Sequence, residues 1–190
     1  MIVDGSRGLI KAVKNVFEDF ALIQRCQWHK RENVLQYISK SDQPWFRKRL
    51  QHAYERPVYD EARRELTKIH AELADKNQSA AASLEEGLEE TLTLHRLGLF
   101  GVLGKSLKTT NCMESILSQV EWRCRKVGRW HNSSQRQRWM ASALLDIEPD
   151  LNRIKGWRHL PKLRDAIQRE LQIQTQPRGE FVEPPLPMAA

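Results

Sequence analysis

The alternation of apolar and polar positions begins with a short apolar run, Ile2-Val3, closed by Asp4-Gly5, which predicts the end of a buried strand. Leu9, Ile10, Val13, Val16 and Phe17 then recur at helical spacing, so residues 8–17 are expected to form a helix. Phe20 to Cys26 predicts a second strand. Val34, Leu35 and Ile38 give one apolar face to a helix expected over Trp28–Ile38. Strand, helix, strand, helix over residues 1–38 predicts an α/β layer with a largely parallel sheet.

Beyond that point the strand signal disappears. Pro44 and Pro57 are placed to start helices running to Tyr54 and Leu73, because proline is tolerated in the first helical turn. A third helix is expected from Ala80 to about Leu97, after which Gly98, Gly101 and Gly104 are expected to loosen the chain. Met113, Ile116, Leu117 and Val120 mark the apolar face of a helix from Met113 to about Lys126. Gln135–Leu145 and Pro161–Leu171 read as two more helices. The proline-rich tail from Gln176 is expected to be disordered. The chain thus divides into a mixed part at 1–38, a helical insertion at 39–108, C-terminal helices at 109–172 and a tail at 173–190. The expected class is α/β, predominantly helical overall.

Composition narrows the picture modestly. In 190 residues, 40% are hydrophobic and 29% charged, as in soluble globular proteins. No stretch of eighteen apolar residues occurs, so no membrane span is expected, and the start carries no secretion signal. Three cysteines, Cys26, Cys112 and Cys124, suit a reducing compartment and a cytoplasmic location. The net charge of +7 is compatible with a polyanionic partner. Its distribution says more. Arg123, Arg125, Lys126, Arg129, Arg136 and Arg138 fall in one stretch without an acidic residue, whereas Leu84–Glu90 holds four glutamates and no base.

Asp4 is expected at the C-terminal end of a parallel strand, the edge where open α/β sheets bind ligands. It could equally be the first residue of an Asp-Gly turn, or a cap for the next helix. Glu114 falls in the first turn of its helix, where Thr110 or Asn111 is the expected cap and Glu114 could complete a capping box with Asn111. A carboxylate so fixed could also bind metal. Two carboxylates 4 Å apart repel by about 4 kcal/mol at an effective dielectric near 20, a cost that a divalent cation removes. Mg2+ or Mn2+ would suit such oxygen ligands. Cys26-Gln27-Trp28-His29 has zinc-like spacing but no second pair, and no third group for a Cys-His nucleophile. The basic stretch with Trp122, Trp130 and His131 could hold phosphates and stack a base. It could also be a solvated helix face with Trp122 in the core.

Taken in order, these segments resemble the mutator-type transposases of bacterial insertion sequences. The matching pieces are Val3-Asp4-Gly5-Ser6, Gln24-Arg25-Cys26-Gln27-Trp28-His29-Lys30, Thr109-Thr110-Asn111-Cys112-Met113-Glu114-Ser115, Gly128-Arg129-Trp130 and Arg153-Ile154-Lys155-Gly156-Trp157-Arg158. The resemblance implies a partial ribonuclease H-like fold, with 1–38 and 109–172 as two parts of its core and 39–108 as an insertion. It implies that Asp4 and Glu114 are catalytic metal ligands, the second and third of an acidic triad, with Cys26 and His29 as a motif beside them. It implies metal-dependent DNA cleavage and strand transfer, with insertion-sequence ends and target DNA as partners and homo-oligomers with other transposase copies. Arg123, Arg125, Lys126, Arg129 and Trp130 are the expected DNA contacts. The family's basic residue seven positions after the glutamate is here Glu121, with Arg123 the nearest base. The first aspartate of the triad has no counterpart, so the chain is expected to be a truncated transposase, inactive alone, whose sheet has an exposed edge. The alternatives are a non-catalytic DNA-binding remnant and a protein-interaction module built on residues 39–108.

Overall fold

The computed structural model describes residues 1–171; the expected disordered tail lies outside the described residues. Two short strands, β1 (Ile2–Val3) and β2 (Gln24–Arg25), pair in parallel, with Ile2 opposite Gln24 and Val3 opposite Arg25. Helix α1 (Arg7–Phe17) connects them and lays Val13 on Val3 and Ile23. The second strand is shorter than the sequence suggests, because Glu18–Phe20 winds into a 3-10 turn before the chain straightens. Among the described residues β1 pairs with no strand besides β2. The far side of β2 is covered by helices instead. The Gln24 side chain accepts from the Leu94 N–H at 2.8 Å and donates to the Thr91 carbonyl at 2.8 Å, and Thr93 Oγ1 donates to the Ile23 carbonyl at 2.6 Å.

Helices α2 (Gln27–Leu35), α3 (Gln43–Tyr54), α4 (Tyr59–Lys76) and α5 (Gln78–Glu85) form the main helical unit. Val34, Leu35, Phe46, Leu50, Leu66, Leu73 and Leu84 meet in one closed core. The helix that the sequence assigned to the mixed part therefore packs into the helical unit. Asp60 and Glu61 in the first turn of α4 favour its positive end, and Asn77 Oδ1 caps α5 by accepting from the Ala80 N–H at 3.1 Å.

The single helix expected from Ala80 to Leu97 is broken into α5, α6 (Leu88–Thr91) and α7 (Thr93–Arg96). Arg25 explains the break. Its guanidinium is buried against Gly5 and Gly87, both at positive φ, where a Cβ would collide with it. It donates to the Glu86 carbonyl and carboxylate, each at 3.1 Å. Fully buried Lys30 donates to the same carbonyl and to Ser83 O at 2.7 Å. An unbroken helix would spend the Glu86 carbonyl on its own backbone and leave two buried cations poorly satisfied. Burial and the neighbouring Arg25 push the Lys30 pKa down to about 8.

The glycines expected to loosen the chain do so only at Gly98, which is left-handed. Gly101 and Gly104 lie within α8 (Phe100–Leu107), held helical by packing of Phe100 and Leu103 with Leu94 and with Ala166 of α11 (Leu160–Glu170). Helices α9 (Asn111–Cys124) and α10 (Ser133–Ile147) form an antiparallel hairpin whose buried contact is Val120 with Ala143 and Ile147.

Candidate functional site

The Cys26 N–H donates to the Val3 carbonyl at 2.7 Å, which places Asp4 and Cys26 side by side at the C-terminal edge of the sheet. Asp4 is exposed, and its Oδ1 accepts from the Ser6 N–H at 2.9 Å. The turn reading of Asp4-Gly5 therefore holds, while the cap position of α1 belongs to Ser6 rather than Asp4. The second Asp4 oxygen makes no hydrogen bond to the described residues.

Cys26 is completely buried at the start of α2, and one turn later His29 turns back onto it, Nδ1 to Sγ at 3.2 Å. The loop before α9 closes over the pair. Thr110 Oγ1 lies 3.3 Å from His29 Nδ1 and 3.4 Å from Cys26 Sγ, and it donates to Glu114 Oε1 one turn along. A threonine hydroxyl has one proton. With that proton directed to the glutamate, the Thr110 oxygen faces His29 Nδ1 only as an acceptor. His29 Nε2 stands 3.9 Å from the same Glu114 oxygen. Thr110 thus holds one Glu114 oxygen, while the second makes no hydrogen bond to the described residues. The capping box does not form: Thr110 is the N-cap and Glu114 the fourth helical residue, and their contact is side chain to side chain. Thr110, expected from the sequence only as a cap and as part of a motif, is the N-cap and also the hinge of this cluster. Its signal was its position one helical turn before Glu114.

The structure brings Cys26, His29, Thr110 and Glu114 together, and the Cys26 backbone borders Val3-Asp4, but the Asp4 carboxylate makes no hydrogen bond to any of the four. Among the described residues, no group of three or more His, Cys, Asp or Glu side chains is close enough to hold a metal ion. The oxygen donors suit a hard divalent cation such as Mg2+, which takes one or two carboxylates together with waters and substrate phosphates. Cys112, which bonds the Ser106 carbonyl at 3.6 Å, and Cys124, packed in the hairpin, stand apart from the Cys26–His29 pair.

The basic stretch runs along the far end of the hairpin. Trp122 is not in a core; it is 60% exposed, with the Arg125 guanidinium 4.8 Å above its ring. Lys126 and Arg129 are exposed, and Trp130 packs edge-on against Trp139 with ring centres 6.4 Å apart. Arg123 is the exception, tied to Asp146 at 2.6 Å. Glu121 is exposed and offers no basic group near Glu114. Further along, Arg153 and Arg158 lie 4.6 and 5.5 Å over Trp157, a second pairing of cations with an aromatic ring.

Residues 1–153 match the family described as "Transposase, Mutator family". The chain is 26% identical over 155 residues to the transposase for insertion sequence element IS256 in transposon Tn4001, from Staphylococcus aureus and from Enterococcus faecalis, over 79% of this chain. It is 30% identical over 145 residues, 76% of this chain, to the transposase for IS6120 of Mycolicibacterium smegmatis. It spans 38% of the length of the IS256 transposases and 44% of the IS6120 transposase. No solved structure matches it.

Proposed function

Because the chain belongs to the Mutator family of transposases, we propose that it forms the C-terminal part of a catalytic domain that cleaves DNA and transfers strands at the ends of an insertion sequence. The observation carrying this reading is the meeting of the Asp4 strand end with Glu114 through Cys26, His29 and Thr110. Asp4 and Glu114 would be two ligands of Mg2+ or Mn2+, each with one oxygen to offer. Such an ion, when bound, activates water and stabilises a leaving oxygen on phosphorus. Thr110 acts as the positioning residue that fixes the Glu114 rotamer, and His29 packs against the Thr110 hydroxyl from behind. The hairpin's Arg125, Lys126 and Arg129, with Trp130, would hold the DNA backbone. The parallel β1–α1–β2 unit is compatible with half of a ribonuclease H-like sheet, and the open edge of β1 leaves room for further strands. No helix of the described residues is long and apolar enough to cross a membrane; the proposed place of action is on DNA in the cytoplasm, within a homo-oligomer of transposase copies.

A second reading for this chain in isolation is DNA binding without cleavage, supported by the exposed Arg125, Lys126 and Arg129 around Trp122 and Trp130. Nicking of end DNA with Mg2+ and salt-dependent DNA binding distinguish the two. Glu114→Ala should leave binding unchanged, whereas Arg125→Ala with Lys126→Ala should reduce the dependence of log affinity on log salt by about two phosphate contacts. Robust nicking by the chain alone, abolished in Glu114→Ala, would show that two carboxylates suffice. Failure to bind any DNA at low salt would defeat both readings.

A further inference from the structure

Beside the Cys26–His29–Thr110–Glu114 cluster lies a cavity of about 220 Å³ between α2, the end of α3 and the 108–111 loop. Its wall is Trp28, 45% exposed and resting edge-on against His29 with ring centres 4.8 Å apart. Gln27 and Tyr54, both nearly fully buried, also line it, and Gln27 Oε1 and the Tyr54 hydroxyl have no hydrogen-bond partner. Burial holds the Tyr54 pKa up at about 12, so the hydroxyl keeps its proton. Arg31 and Lys108 also line the cavity, and one carboxylate, Glu55, lies 4.0 Å from Lys108.

An indole face, a carbonyl acceptor, a hydroxyl and two cations, Arg31 shared with Glu32 at 3.0 Å and Lys108 with Glu55 at 4.0 Å, are complementary to one nucleotide: a π surface, polar edges and a phosphate. The volume is below the roughly 300–1,000 Å³ of sites for drug-sized ligands, so it suits one base and not a base pair. Gln27 and Trp28 immediately precede His29, and Thr109 and Asn111 flank Thr110, so the cavity and the cluster share their framework. We infer that this cavity holds an unpaired nucleotide of the DNA, stacked on Trp28, next to the strand presented to Glu114. The inference rests on the DNA-binding reading above. Taking a base out of the duplex costs stacking and pairing energy, so the cavity selects DNA in which a base is already unpaired.

The test uses the whole chain and two labelled duplexes that differ by a single bulged nucleotide, with binding followed by fluorescence anisotropy. The bulged duplex is expected to bind about ten-fold more tightly, within the range found for stacking one base on an aromatic side chain. Trp28→Ala should bring that ratio to about one while leaving affinity for the fully paired duplex unchanged, and Trp28→Phe should retain most of it. Lys108→Gln, at the cavity's edge, should lower the ratio by a few-fold. A wild-type ratio of one, or a ratio that survives Trp28→Ala, overturns the cavity assignment and leaves DNA binding standing. Failure to bind either duplex at low salt overturns both.

Discussion

The main helical unit and the α9–α10 hairpin are both helical, yet they solve opposite problems. In the first, Phe46, Leu50, Leu66 and Leu73 from different helices are sealed on all sides. In the second, three buried residues hold two helices together while Met113, Leu117, Trp122, Trp139, Met140 and Leu145 face solvent. One region is a scaffold whose apolar surface is used up; the other projects its side chains outward and keeps little for its own stability. The candidate cluster sits at their junction, with Cys26 and His29 at the scaffold's first helix and Thr110 and Glu114 at the hairpin's first turn. A rigid Cys26–His29 pair can therefore aim a carboxylate carried on a weakly held helix.

The largest effect should come from opening the scaffold. Phe46→Ala removes a ring with no exposed surface and is expected to cost about 3–5 kcal/mol, read as a loss of cooperative unfolding stability in denaturant. If the cost proved below about 1 kcal/mol, the scaffold would be no more closed than the hairpin.

Acid should act next, through His95 of α7. This ring stacks on Phe100 at 3.7 Å and donates from Nε2 to the Tyr54 carbonyl at 3.1 Å. Burial lowers its pKa from 6.5 to about 4. The folded state thus keeps the ring neutral while the unfolded chain takes up the proton first. Stability is full above pH 6.5 and is lost as pH falls toward 4, by on the order of 3 kcal/mol. Thermal unfolding at several pH values should show that slope, and His95→Gln should flatten it.

A smaller and more local change is expected from Ile147→Ala. It should remove about 2 kcal/mol, felt by the hairpin alone. Amide hydrogen exchange should quicken across α9 and α10 and stay unchanged in α4. Equal acceleration in both regions would make the hairpin part of the same cooperative unit.

The smallest effect belongs to the Arg123–Asp146 bond, whose aspartate is largely exposed. Asp146→Asn should change stability by less than about 1 kcal/mol. Its use is different: it releases Arg123, so DNA affinity at low salt should rise.

Much of this was legible along the chain. The spacing of Val13 and Ile10 located α1, the prolines at 44 and 57 located the starts of α3 and α4, and the run from Met113 to Val120 located α9 within two residues at either end. The missed elements share a cause. The break at Gly87 and the helix through Gly101 and Gly104 run against local propensity because distant groups outweigh it: buried Arg25 and Lys30 in the first case, the α11 packing surface in the second. For the cluster, residue type and position marked Asp4, Cys26, His29 and Glu114, and Thr110 as a cap, while the contacts of Thr110 with Cys26, His29 and Glu114 emerged only from geometry.

Periodicity, proline placement and ordered short motifs sufficed to set the helical character, the paired parallel strands and the family, because each depends on neighbours within a turn or two. Which helix buries which face, where Trp122 points, that Arg123 is occupied by Asp146, and that a cavity opens beside His29 required the folded chain. Those outcomes depend on contacts between residues far apart in sequence, where a single buried cation can redirect the backbone of a helix sixty positions away.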